Sequence, residues 1–159
     1  MPRGDVRVIT VGRRTTMLLL LLATAAIVAL TLWVSGKAYT KVDPEPFREI
    51  RLLTSRLAEG PVRTETIVAL TMPLLLNVFL FLPWGFLMFL VLDRPGSSTM
   101  QSYLLTLLLA MAFSSLIEAW QYFLPTRVTD INDIIWNGAG ALAGAVLGHI
   151  RKRVRFAFE

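Results

Sequence analysis

The sequence predicts an all-α integral membrane protein: a compact bundle of four transmembrane helices, with an amphipathic interfacial helix between the first and second. Three observations lead there. Of the 159 residues, 55% are hydrophobic and 17% charged, and the mean hydropathy is +0.60. Most of the charges lie outside four long apolar runs, each near the ~20 residues that a helix needs to cross a bilayer. The basic residues flank those runs, which suits anionic lipid head groups and gives the net charge of +5 an explanation that needs no nucleic acid. With no cysteine there is neither a disulfide framework nor a thiolate metal site, and the lone His149 founds no metal cluster.

Arg3, Arg7, Arg13 and Arg14 precede the first apolar run, residues 16–34. A basic head before such a run can be a secretory signal. This one approaches 20 residues and lacks a small-x-small exit before Trp33, so it reads as a retained first crossing. Residues 45–59 then form a short helix opened by Pro44 and Pro46. Phe47, Ile50, Leu53 and Leu57 share one face, with Arg48, Arg51, Arg56 and Glu59 around the others, a pattern that suits the membrane surface. Gly60 and Pro61 end it.

The second crossing, 66–92, contains Pro73, Asn77, Pro83 and Gly85. Prolines are tolerated in membrane helices and bend them. A polar turn, Asp93-Arg94-Pro95-Gly96, leads to the third crossing, 100–123. Pro125 closes that helix, and the fourth crossing runs 130–150. Trp84, Trp120 and Trp136 read as exposed aromatics of the kind common on membrane proteins. With the N-terminus inside, nine basic residues fall on the cytoplasmic side and seven outside. The dense clusters at both ends favour cytoplasmic termini, with the 118–137 region facing outward.

That region carries the chemistry. Ser114, Glu118 and Gln121 share one helix face, and Asp130, Asp133 and Asn137 share a face of the next. At about 1.5 Å per residue, Glu118 and Asn137 lie roughly 9 Å deep and Asn77 roughly 16 Å. Polar groups at such depth should turn inward. Asn77, Glu118 and Asn137 are therefore expected to line one outward-opening pocket, with Arg127, Asp130 and Asp133 at its mouth and Arg127 folded back over Glu118. Glu118, Asp130 and Asp133 are the candidate acid–base groups; Asn77, Gln121, Arg127 and Asn137 are the candidate head-group contacts. No cofactor is called for, although Asp130 and Asp133 could hold a divalent ion bridged to phosphate. The competing reading is structural: Glu118 pairs with Arg127 and the amides clamp the helices together. Gly140, Gly144 and Gly148 form a close-packing ladder, expected to serve within the chain before a homodimer.

At these residues the chain resembles the VanZ-like family of small bacterial membrane proteins. Asn77-Val78-Phe79-Leu80-Phe81-Leu82-Pro83-Trp84-Gly85 is similar to its asparagine-phenylalanine-proline-glycine signature, with Trp84 where the family often has phenylalanine. Glu118, Gln121, Arg127, Asp130, Asp133, Asn137 and Gly140 are similar to its longer signature across the last two helices. The resemblance implies a four-helix-class membrane protein and a link, through founding members, to resistance against the glycopeptide teicoplanin. It supplies no established catalytic residue. The function expected is binding or modification of the polar head of a cell-envelope lipid or lipid-linked precursor. A non-enzymatic assembly subunit is the alternative, and a small transporter acting as a dimer is a weaker one.

Overall fold

The computed structural model describes residues 12–33, 42–124 and 129–153. Five helices follow in order: α1 (Arg13–Trp33), α2 (Arg48–Glu59), α3 (Thr64–Leu92), α4 (Thr99–Tyr122) and α5 (Ile131–Arg153). Two short strands, β1 (Val42–Asp43) and β2 (Thr129–Asp130), pair in parallel, a feature that the sequence reading did not anticipate. By length and composition α1, α3 and α4 can cross a membrane. α5, expected as a fourth crossing, has 23 residues but does not rank with them as an apolar span. Its early turns carry Asn132, Asp133 and Asn137, which other parts of the chain cover, so less of its surface needs to be apolar.

The burial pattern is that of a bundle in an apolar medium. Leu18, Leu21, Leu22, Leu76, Phe79, Leu108 and Leu116 point outward, whereas Ser102, Thr106, Ser114, Glu118 and Gln121 of α4 are buried along one face. Within apolar helices the hydroxyls satisfy themselves locally: Thr24 Oγ1 donates to the Leu20 carbonyl at 2.8 Å and Thr106 Oγ1 to Ser102 at 2.7 Å.

α5 packs chiefly against α3, and small residues let it do so. A Cβ on Gly140 would collide with the backbone of Val78, one on Gly144 with that of Leu82 and Phe86, and one on Gly85 with that of Ala141. Gly148 faces Phe86 and Phe89. Residues four apart on one helix meet residues four apart on the other in the same direction, so α3 and α5 run parallel. The ladder that a homodimer would use is occupied by α3 of the same chain. α1 leans on α3 through Ile27 and Trp84, and the Trp84 ring stacks on Phe113 at 5.7 Å. Trp84 is thus a core residue and not an exposed one, with its Nε1–H donating to Thr24 Oγ1 at 3.0 Å. An indole N–H inside an apolar bundle needs such an acceptor.

α2 starts at Arg48 and not at residue 45, because Phe47 turns into the left-handed region at φ +58°. Its backbone N–H is spent on Asn132 Oδ1 at 2.6 Å. No residue of α2 is buried, and Ile50, Leu52 and Leu57 remain exposed.

Candidate functional site

The site forms where α5 begins. The glycine register sets the first turn of α5 well down the flank of α3, so that Asp133 lies level with Asn77. Asn77 Nδ2 donates to Asp133 Oδ1 at 2.5 Å. From the other side α4 brings Glu118, only 3% exposed, and its carboxyl group meets that of Asp133 within hydrogen-bonding range. Glu118 Oε2 also accepts the backbone N–H of Asp130 at 2.9 Å, while Thr129 Oγ1 donates to the Glu118 carbonyl oxygen at 3.2 Å. Three helices and β2 therefore converge on one carboxyl pair. Two carboxyl groups side by side can share one proton, the protonated group donating to the other.

The division between interior and mouth changes accordingly. Asp133 belongs to the interior with Asn77 and Glu118, because α5 starts deeper than α3 does. Asn137 lies one turn further down, where its Nδ2 donates to Ser114 Oγ at 2.8 Å. Its Oδ1 has no partner although the residue is 4% exposed. Gln121 leaves this group altogether: its Nε2 donates to the Thr31 carbonyl at 3.1 Å and ties α4 to the end of α1. Arg127, expected to reach back over Glu118, lies outside the described residues. Asp130 caps α5, its Oδ1 accepting the backbone N–H of Asn132 at 2.8 Å.

The sequence reading missed Asn132, which is 1% exposed and joins the site to its cover. Its Nδ2 donates to the Glu45 carbonyl at 3.0 Å and to Asp130 Oδ1 at 2.9 Å, and its Oδ1 accepts the Phe47 N–H. Residues 42–47 are thereby strapped across the head of α5, with β1 on β2 and the Phe47 ring edge-on to Trp136 at 6.2 Å. Arg48 pairs with Asp43, whose hydrogen bond and charge raise the guanidinium's pKa, so it stays cationic throughout any physiological range. The available signal was Asn132's place two residues after Asp130, a spacing suited to a cap, but its partners are 85 to 87 residues away. Asn132→Ala is expected to remove the bonds to the Phe47 N–H and the Glu45 carbonyl, at about 0.5–1.5 kcal/mol for each, since both residues are exposed and water can take the lost partner's place. Limited proteolysis should then cut within residues 42–47 faster than in the unaltered protein, with helical content retained.

Among the described residues no group of three histidine or acidic side chains is placed to hold a metal ion. Compared with models of known protein families, residues 17–152 match the one described as VanZ/LLP1. No curated protein and no solved structure matches the chain.

Proposed function

The chain belongs to the VanZ/LLP1 family, and on that footing we propose that this membrane protein binds or modifies the polar head of an amphiphilic cell-envelope lipid or lipid-linked precursor. The observation that carries the reading is the Glu118–Asp133 carboxyl pair, held by Asn77 and the Asp130 N–H beneath a strap. A buried carboxyl in a bundle is expensive, so a pair that serves only as a clamp is costly compared with amides or hydroxyls. A proton-holding pair under a short segment suits a site that gives or takes a proton at a head group. Arg127, three residues before Asp130, offers a planar fork for phosphate or carboxylate. In this reading α5 completes four crossings, α2 lies on the membrane surface, both termini are cytoplasmic, and the site faces the outer leaflet of the inner membrane. A role in glycopeptide resistance would follow from altered envelope lipid at that face.

A second reading, an assembly subunit whose polar groups only fix the bundle, is favoured by Gln121 and Asn137, whose amides bond between helices. One set of measurements separates the two. In the cysteine-free chain, a Cys introduced beside position 127 should label from the outside, and labelling only from the cytoplasm would overturn the orientation. Lipid that copurifies with the protein should bind more weakly to Arg127→Ala than to Arg127→Lys, because lysine keeps the charge and alanine keeps nothing. Equal binding by both variants and the unaltered protein favours the assembly subunit.

A further inference from the structure

The end of the bundle away from the carboxyl pair holds a cavity of about 300 Å³. From Asn77 to Val91, which lines it, the distance along α3 is roughly 21 Å at about 1.5 Å per residue. Three guanidinium groups from three separate elements line this cavity: Arg13 in the first turn of α1, Arg94 in the turn after α3, and Arg151 in the last turn of α5. Against them stands the carboxylate of Asp93, which leaves a net charge of +2 among the described lining residues. Leu90 and Val91, half-buried in the last turn of α3, give the cavity an apolar side. Arg94 is held in place: its Nε donates to the Val91 carbonyl at 3.2 Å, and Ser97 Oγ accepts its backbone N–H at 2.9 Å. The Arg151 guanidinium lies over the Phe86 ring, 5.9 Å from its centre. Among the described residues no ion pair joins Arg13, Arg94 or Arg151 to a carboxylate; the pairs Arg48–Asp43, Arg51–Glu45 and Arg56–Glu59 all lie on the strap and α2. Helix capping explains only part of this. The macrodipole favours a cation at the C-terminal end of α3 or α5, but disfavours one at the N-terminal end of α1. Three like charges around one cavity also repel one another.

We propose that this cavity is a second binding site, which takes the phosphate of an anionic phospholipid. It goes beyond the head-group reading above, which concerns the other end of the bundle. Arg13 begins one apolar span and Leu92 ends another, so the cavity sits at the level of the lipid phosphates. A phosphate diester carries one negative charge on two free oxygens, and a guanidinium fork matches them with paired N–H donors. Basic pockets between membrane helices suit anionic head groups. With a net charge of +2, this one matches two phosphates better than one. The glycerol and the first methylenes of the chains suit Leu90 and Val91, which a free anion would leave unused. A zwitterionic lipid brings a cation of its own into the arginine cluster, and a metal ion is repelled by it.

The test uses the purified full-length chain in detergent, with cardiolipin, phosphatidylglycerol and phosphatidylcholine, and with glycerol 3-phosphate alone. Cardiolipin, which has two phosphates, should bind about tenfold tighter than phosphatidylcholine, with phosphatidylglycerol between them. The difference should shrink as salt is raised. Arg13→Gln, Arg94→Gln and Arg151→Gln should each weaken cardiolipin binding about fivefold. Arg63→Gln removes the same charge from an exposed position just before α3 and should leave cardiolipin binding unchanged. All four arginines are exposed, so the substitutions leave the fold intact. Glycerol 3-phosphate binding as tightly as the lipids supports the phosphate chemistry and assigns the source to a free phosphate. Phosphatidylcholine binding as tightly as cardiolipin overturns the proposal. Full cardiolipin binding by all three cavity variants overturns it too, as does an equal loss in Arg63→Gln, which would reduce the effect to overall charge. The head-group reading stands apart from each of these outcomes, because its own test rests on Arg127.

Discussion

Glu118→Gln is expected to leave the bundle folded while abolishing head-group binding or turnover. The glutamine carbonyl can still accept the Asp130 N–H that Glu118 Oε2 now accepts. Its amide N–H can donate to Asp133 in place of the proton within the carboxyl pair. Every local hydrogen bond therefore survives, and stability should change by no more than about 1 kcal/mol, the net worth of one bond. What disappears is the capacity to release or accept a proton and to carry charge. Glu118→Leu provides the contrast. It strands the Asp130 N–H and leaves Asp133 with only Asn77, and each unsatisfied buried group costs about 1–3 kcal/mol. Thermal unfolding in detergent should thus rank the unaltered protein and Glu118→Gln together, with Glu118→Leu well below them. Binding should separate the unaltered protein from both variants. Full binding by a folded Glu118→Gln protein would reduce the pair to architecture.

The largest structural effect is expected from a single methyl group on the ladder. Gly144→Ala places a Cβ against the backbone of Leu82 and Phe86, where no rotamer change can relieve the overlap. α5 must then move off α3, and the Asn77–Asp133 contact goes with it. Gly138→Ala lies on the same helix but meets only side-chain atoms, Leu107 Cδ1 at 3.3 Å and Met111 Cγ at 3.6 Å, which can yield. Intrinsic helix propensity favours alanine by about 1 kcal/mol at both positions. The same substitution should therefore be neutral or stabilising at 138, and destabilising by about 3 kcal/mol or more at 144. Melting temperatures of the two variants measure the difference directly. Equal effects would show that the close approach of α3 and α5 is not what holds the bundle. Because the ladder also sets the depth of Asp133, Gly144→Ala should weaken head-group binding before it unfolds the chain.

The helices, the membrane class and most of the polar cluster were legible in the sequence for a local reason. Apolar runs, proline and glycine punctuation, and i, i+4 and i, i+3 spacings are properties of neighbouring residues. They placed Ser114 with Glu118 and Asp133 with Asn137, and they marked Gly140, Gly144 and Gly148 as a packing face. Helix depth could not be read in that way. Counting 1.5 Å per residue from each helix end assumes that all helices start at one plane. α5 instead begins lower, because its glycines seat it where the α3 backbone can come closest. That offset moved Asp133 from the mouth into the interior.

Side-chain direction at shared depth was equally beyond local reading. Gln121 shares a helix face with Glu118, yet it turns to Thr31 of α1, and Trp84 turns into the core to reach Thr24. Asn132 was missed because its partners, Glu45 and Phe47, are distant in the chain and use backbone atoms that leave no signature in residue type. The sequence by itself determined that polar groups would collect between apolar helices, since hydrocarbon leaves them nowhere else to go. Which of those groups meet, which clamp a neighbour and which are covered by the strap was decided by tertiary structure alone. Those outcomes depend on distances of a few tenths of an ångström between helices, and only the packing of α5 against α3 and α4 sets them.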